Sequence, residues 1–208
     1  MTLGSFKAII ALVLLGGVLA GCATAPPVVS NVDNACAIFE NQSGWYEQTL
    51  AAQNKWGVPI SVQLAIIHQE SRFKHDAKPP RSQLFWFIPG PRPSSAFGYA
   101  QALDGTWEQY KKHTGVWKAD RDNFGDAVDF IGWYVDQSYK KCGIAKSDAQ
   151  LQYLAYHEGH KGYNSKSYLK KAWLMDVARR VARNAALYQK QLAQCRKTES
   201  KKSKLWPF

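Results

Sequence analysis

The 208-residue sequence lacks the patterns that mark several common protein classes. No segment alternates polar and apolar residues for long, so little or no sheet is expected. There is no internal repeat, no Gly-rich phosphate loop after a strand and no Gly-x-Ser-x-Gly elbow. His157, Glu158 and His160 are close in sequence, but their spacing does not fit the zinc motif His-Glu-x-x-His. We therefore expect no metal and no cofactor.

Acidic residues are also scarce, with 16 Asp and Glu against 27 Lys and Arg and a net charge of +11. Such an excess suits an anionic partner, which leaves nucleic acid, phospholipid or an acidic wall polymer open. Apolar residues make up 46% of the chain and charged residues 21%, which excludes a disordered or collagen-like chain. Aromatic residues reach 13%, a level that fits either flat, stackable ligands or dense packing.

The N-terminus has no apolar run long enough to span a bilayer, which takes about 20 residues. Residues 8–15 form a shorter run after Lys7, typical of a secretory signal. The sequence LAGC at 19–22 resembles the bacterial lipobox. That resemblance implies cleavage before Cys22, its modification by lipid such as palmitate, and export to the periplasm of a Gram-negative bacterium. Ala23 at the next position indicates the outer membrane. An uncleaved anchor helix is the alternative.

Composition divides the chain into four parts. Residues 1–21 are the predicted signal peptide and 22–35 a Pro- and Asn-bearing tether. Residues 36–196 form one predicted catalytic domain. Residues 197–208 are a basic tail, for which a solvated, frayed end and a membrane-surface contact are both open.

Three cysteines remain once Cys22 carries a lipid, and an oxidising periplasm allows them to pair. Cys36 opens the predicted domain and Cys195 closes its last helix. A Cys36–Cys195 bond would close a long loop, so this pairing is the expected one. Cys142 would then be a small, buried or shielded thiol.

The middle of the chain is predicted to be helical, with short loops. Helix signals cover 60–73 after Pro59, 105–113 after an Asp104 cap, 123–141, a stretch from the capping box at 147 to about 158, and 171–194. Residues 79–93 carry five prolines and are predicted to be a loop. We expect this loop to form a wall of a ligand groove, with Trp86 or Phe87 touching the ligand. Membrane contact and inward packing are the alternatives.

Glu70 is the strongest candidate for chemistry. It lies near the end of the buried helix, with Ile66 and Ile67 on its own face. Burial and the helix dipole both raise the pKa of a carboxyl group placed there. An acid protonated near neutral pH can protonate the leaving oxygen of a glycosidic bond. The alternative is a Glu whose carboxylate simply reaches solvent.

Three segments carry a family resemblance. ESRF at 70–73 resembles the Glu-Ser-x-Phe motif of the soluble lytic transglycosylase family. AFGYAQ at 96–101 is similar to the family's Ala-x-Gly-Leu-Met-Gln, and AYHEG at 155–159 to Ala-Tyr-Asn-Ala-Gly. The three occur in the family's order, and the resemblance covers about residues 45–190.

The resemblance implies a mainly α, single-domain fold like goose-type lysozyme. It also implies a membrane-bound peptidoglycan lytic transglycosylase, which cleaves the β-1,4 bond between N-acetylmuramic acid (MurNAc) and N-acetylglucosamine (GlcNAc) and leaves 1,6-anhydroMurNAc. Glu70 would be the sole acid and base, Ser71 would orient it, Gln101 would line the glycan groove, and Tyr156 would support the carboxyl or the acetamido group. The implied substrate-binding set is Ser71, Gly98, Tyr99, Gln101, Tyr156 and Glu158.

The sequence departs from the family pattern in three places. Glu158 adds a carboxylate to the third motif. If it lies across the groove from Glu70, it could activate water, and the enzyme would be a hydrolytic muramidase. If it lies at the edge of the groove, it would not take part in the reaction. Tyr99 and Ala100 replace Leu and Met, and for the family's late Tyr only Tyr168 and Trp173 are candidates. A non-catalytic wall-binding lipoprotein is the remaining alternative. Peptidoglycan and, through the lipid, a membrane are the expected partners; nucleic acid is not.

Overall fold

The computed structural model describes residues 29–85 and 88–204, with side chains except at 84, 85, 88 and 196–204. The predicted signal peptide, Cys22, residues 22–28 of the tether, and Trp86 and Phe87 lie outside the described residues.

Helices dominate the described part of the chain, as the sequence predicts. They are α1 (Ala35–Glu40), α2 (Trp45–Trp56), α3 (Ile60–Ser71), α4 (Asp104–Thr114), α5 (Phe124–Cys142), α6 (Ala149–Asn164), a 3-10 helix (Ser167–Lys170) and α7 (Ala172–Lys204). The mainly α expectation is confirmed, although α1 and α2 were not predicted.

A short antiparallel hairpin joins β1 (Gln83–Phe85) to β2 (Ile88–Pro89) inside the proline-rich segment. The prediction of a plain loop is therefore wrong at this point. Prolines are tolerated in such strands where no N–H is needed for the ladder. Just outside the strands, the Ser82 N–H donates to the Pro91 carbonyl at 3.0 Å and closes the base of the hairpin.

Helix α3 is the centre of the domain, because its residues are apolar on most faces. Its side chains from Ile60 to His68 are buried, and it packs against α2, α5, α6 and α7. The helix ends at Ser71, two residues earlier than predicted. Arg72 and Phe73 leave the helix with φ of 52° and 62°, in the left-handed region.

The helix starts differ in detail from the predicted caps. Asn123, predicted as the first residue of its helix, is instead the cap of α5, and its side chain accepts the Asp126 N–H at 3.1 Å. Asp148, and not Ser147, caps α6 by accepting the Leu151 N–H at 2.9 Å. Asp104 is the first residue of α4 and not its cap. The first residue of each helix depends on which short polar side chain accepts a free N–H of the first turn. The sequence alone does not decide between neighbouring candidates.

Helix α6 breaks at Gly159, whose φ of 71° and ψ of 160° are not helical. The predicted end at this glycine is thus a kink, after which a second helical segment runs to Asn164. Helix α7 continues past its predicted end at 194 to Lys204. The backbone of the basic tail is therefore helical as far as Lys204, and not frayed.

The two ends of the domain are joined to each other. Cys36 and Cys195 form a disulfide, with their Cα atoms 6.1 Å apart, and this is the expected pairing. The Ala35 N–H donates to the Gln191 side chain on α7 at 2.8 Å. Val29 and Val32 are buried as well, so residues 29–35 pack on the domain and do not act as a tether. In the part of the chain that is described, no helix has the length and apolar character to cross a membrane.

Candidate active site

Glu70 lies in the last turn of α3, just before the chain leaves the helix. The two left-handed residues that follow, Arg72 and Phe73, hold a conformation that costs non-glycine residues of order 1–3 kcal/mol each. Phe73 is buried and stacks on Trp45, with ring centroids 6.0 Å apart. This packing fixes the turn, and with it the position of Glu70 relative to the rest of the domain.

The pKa of the Glu70 carboxyl group lies close to neutral pH. Burial raises its pKa to about 7, and a hydrogen bond from Tyr153 offsets part of that rise. The side chain keeps partial exposure, which leaves room for a ligand to reach it. Ser71 does not orient Glu70 as expected: its hydroxyl donates to the Ile67 carbonyl at 3.3 Å within its own helix.

Tyr153 is the hydroxyl partner of Glu70, and the sequence analysis missed it. It is buried on α6, where burial and the nearby Glu70 charge raise its pKa, so it stays a neutral donor. It precedes Tyr156 by three residues and therefore shares a helix face with it. That spacing is the signal that could have identified it.

Tyr156 has a different partner from the one expected. Its hydroxyl donates to the Ala100 carbonyl at 2.6 Å. Burial raises the pKa of Tyr156, and the nearby charge of Glu70 raises it further. Tyr156 thus supports the backbone of the second motif, while Tyr153 takes the role of holding the catalytic carboxyl.

Gly98 and Tyr99 of the second motif are both buried. Gly98 has φ of 76°, and a Cβ there would lie 2.0 Å from the Arg121 carbonyl oxygen, so only glycine fits. Tyr99 is 2% exposed and meets the rings of Trp45 and Phe124 edge-on at 5.6 and 5.4 Å. Both residues are buried, so the substrate-binding role that the resemblance implies for Gly98 and Tyr99 stays a prediction.

Gln101 does lie at the surface of the groove. Its side-chain amide donates to the carbonyls of Ala77 and Gly98 at 2.8 and 2.9 Å. These bonds tie the segment after α3 to the second motif and hold Gln101 at a φ of 49°. The side-chain oxygen of Gln101 has no intramolecular donor among the hydrogen bonds of the described residues.

A cavity of about 230 Å³, the groove pocket, lies between the second and third motifs. Glu70 is not among the residues that line this cavity, but its charge acts on Tyr156, which does. The residues lining the groove pocket are Gln101, Ala102, Leu103, Thr106, Phe130, Tyr134, Tyr156, His157, Glu158 and Gly159.

Glu158 lines the groove pocket but does not offer a free carboxylate. Lys171 and His157 bind one carboxylate oxygen at 2.6 and 3.0 Å, and the Ser167 hydroxyl donates to the other. The side chain is 4% exposed. Burial alone would raise its pKa, but these donors outweigh burial and bring it to about 2. Glu158 therefore joins α6 to the start of α7, and its contact with substrate stays a prediction.

The remaining candidates have structural partners. Tyr168 stacks on Tyr163 with centroids 5.4 Å apart, and Trp173 meets His157 edge-on at 5.2 Å. The Cys142 thiol is 3.8 Å from the His160 carbonyl oxygen. Over the described ranges, no group of three or more His, Cys, Asp or Glu side chains could hold a metal ion.

A mainly helical domain and a carboxyl group whose pKa is raised by burial are compatible with a lysozyme-like enzyme that cleaves glycans. The family model "Transglycosylase SLT domain" matches residues 10–195, and the chain belongs to this family. It is accordingly a lytic transglycosylase that acts on peptidoglycan. A search of the curated proteins gave no match.

Proposed function

We propose that Glu70 is the sole acid and base of a reaction that leaves 1,6-anhydroMurNAc ends. Glu70 first protonates the oxygen between MurNAc and GlcNAc, and the 2-acetamido group stabilises the positive sugar. The Glu70 carboxylate then takes the proton from the C6 hydroxyl of the same MurNAc, and this oxygen attacks C1. The bond to GlcNAc breaks, the ring closes and no water is consumed.

The pKa of Glu70, about 7, is the observation that carries this proposal. At neutral pH a large fraction of the carboxyl groups hold the proton that the first step needs. Once the proton has left, the hydrogen bond from Tyr153 stabilises the carboxylate that the second step needs as a base. One carboxyl group can thus serve both steps.

The state of Glu158, the carboxylate of the third motif, argues against hydrolysis. An inverting hydrolase needs a second carboxylate to activate water. With a pKa of about 2 and three donors on its oxygens, Glu158 is a weak base. Intramolecular attack by the C6 hydroxyl does not require such a base.

Mass spectrometry of purified sacculi digested with the protein tests the proposal. Anhydro-muropeptides are the expected product; reducing-end muropeptides would refute it in favour of hydrolysis. Glu70→Gln should remove activity by several orders of magnitude while the protein stays folded, because the amide cannot donate an acidic proton. Retention of more than about a tenth of the rate would refute the assignment of the acid.

We further propose that the protein is anchored by lipid on Cys22 to the outer membrane and faces the periplasm. The oxidised Cys36–Cys195 pair supports an oxidising compartment. Because residues 29–35 are packed, the folded catalytic domain begins by residue 29 and the tether is correspondingly shorter. Labelling with a palmitate analogue, followed by membrane fractionation, should give a labelled outer-membrane protein. Cys22→Ala should abolish the label.

A further inference from the structure

A second cavity, of about 440 Å³, lies on the other side of the turn that carries the second motif. We call it the basic pocket. Four cationic side chains line it, namely Lys78, Arg81, Arg92 and Arg121, and Asp104 is the one acidic residue in its lining. An excess of three positive charges around one cavity favours an anionic ligand.

The cationic side chains of the basic pocket differ in their intramolecular partners. Arg121 forms an ion pair with Asp104 at 2.8 Å and donates hydrogen bonds to the carbonyls of Ser95 and Ala102. This pair cancels the one negative charge. Lys78, Arg81 and Arg92 have no carboxylate partner among the described residues, so their positive charges are not neutralised within the site.

The two free arginines are held by the hairpin that the proline-rich segment forms. Arg81 donates to the Gly90 carbonyl at 3.5 Å, and Arg92 donates to the Pro79 carbonyl. Each bond uses a single N–H, and a guanidinium carries five. Most donors of both groups remain for a ligand, in the planar fork that matches a carboxylate.

Lys78 is positioned by an aromatic ring. Its ammonium lies 4.9 Å from the centroid of Phe97, and the guanidinium of Arg121 lies 5.4 Å from the same ring. Phe97 thus makes cation–π contacts with both Arg121, which has a carboxylate partner, and Lys78, which has none among the described residues. Lys78, Arg81 and Arg92 are all exposed, so a ligand can approach them from solvent.

The basic pocket lies next to the groove pocket. Ala96, Phe97 and Asp104 line the former, while Gln101 and Ala102 line the latter. A single turn of the chain therefore separates the two cavities. The guanidinium of Arg121, in the basic pocket, donates at 2.8 Å to the carbonyl of Ala102, which lines the groove pocket.

We propose that the basic pocket binds carboxylates of the peptides that peptidoglycan carries on MurNAc. This inference rests on the proposed function, since it requires the glycan to occupy the groove beside Glu70. The peptide is attached to the same sugar whose glycosidic bond is cleaved, so it leaves the groove close to the reacting bond. Arg81 and Arg92 bind its carboxylates, and Lys78 adds charge at the side.

The test compares two substrates. One is peptidoglycan with its peptides, and the other is glycan strands from which an amidase has removed them. The variant is Arg81→Gln with Arg92→Gln, which removes both charges and keeps polar side chains of useful length. We expect kcat/KM on the peptide-bearing substrate to fall about tenfold, mainly through KM, since two charge-assisted contacts are lost. On the stripped strands the fall should be less than about twofold.

A matched control removes the same charge elsewhere. Arg183 and Lys190 are exposed on α7 and line neither cavity. Arg183→Gln with Lys190→Gln should leave the ratio of the two kcat/KM values as in the wild type. An equal effect of the control pair would show general electrostatic attraction, and would refute a specific site.

The outcomes separate this inference from the proposed function. Equal losses on both substrates, or no loss on either, would refute peptide binding while leaving the role of Glu70 intact. Loss of binding to phosphatidylglycerol vesicles with unchanged kinetics would refute it in favour of a lipid surface. Failure of the wild type to form anhydro ends would refute the proposed function itself. The ratio of the kcat/KM values on the two substrates would still test peptide binding in the basic pocket.

Discussion

Glu70→Gln should stabilise the protein at alkaline pH and not at acid pH. The pKa of Glu70 is about 7, against an ordinary value of 4.5, and each unit of difference corresponds to about 1.4 kcal/mol. A raised pKa means that the folded protein holds the proton more tightly than the unfolded chain does. The fold is therefore penalised as pH rises from about 4.5 to about 7, and the penalty levels off at about 3 kcal/mol above that range.

Gln at this position cannot ionise and carries no such penalty. We compare the free energy of unfolding of the variant with that of the wild type at two pH values. The difference, variant minus wild type, should be larger by about 3 kcal/mol at about pH 8.5 than at about pH 4. For a domain of this size the difference corresponds to a shift in Tm of roughly 6–12 °C. Urea unfolding followed by circular dichroism at both pH values measures it, and titration of the other groups cancels between the two proteins.

Glu40→Gln is the matched control, because Glu40 ends α1 and is exposed. Its effect on stability should not change by more than about 0.5 kcal/mol between the two pH values. If Glu70→Gln and wild type differ by the same amount at both pH values, the carboxyl group is not desolvated. The argument for a protonated acid at neutral pH would then fail, whatever the activity of the variant.

Three further outcomes are expected. Tyr153→Phe removes the hydrogen bond that lowers the pKa of Glu70, so the alkaline limb of the pH–activity profile should move to higher pH while kcat falls about tenfold; an unmoved limb would contradict the contact. Glu158→Gln should cost about 1–2 kcal/mol at pH 7 yet leave anhydro products. Its pKa of about 2 means that this cost is present above about pH 4.5 and fades as pH falls towards 2, which acid titration of both proteins can check. Reduction of Cys36–Cys195 should lower stability by about 2–4 kcal/mol, and detection of Cys142 in a disulfide by peptide mapping would contradict the pairing.

Features that depend on local pattern could be predicted from the sequence. The apolar faces of the segment after Pro59 predict a buried helix, and α3 is that helix. The place of Glu70 near its end, with Ile66 and Ile67 on the same face, predicts a raised pKa, because an apolar helix face is expected to be buried. Both ends of α5 also follow from local signals, namely the cap at Asn123 and the glycine at 143, whereas α7 runs beyond its predicted end at 194.

The roles of single residues in the motifs depended on the tertiary structure. Ser71 and Tyr99 stand in motifs associated with catalysis, yet one bonds its own helix and the other packs in the core. Their neighbours along the chain do not reveal this, since burial is set by distant elements such as α2 and α5. Gly98 is required because the Arg121 carbonyl approaches from 23 residues further along the sequence.

The same reason explains the partners of the carboxylates. Glu158 can act as a base only if no cation pairs with it. In the structure it pairs with Lys171, which lies beyond the kink at Gly159 and the 3-10 helix. Tyr153 meets Glu70 only because α6 packs against α3. Local pattern sets which groups can ionise, whereas the packing of helices decides which of them meet. The pKa values, and with them the chemistry, follow from that second step.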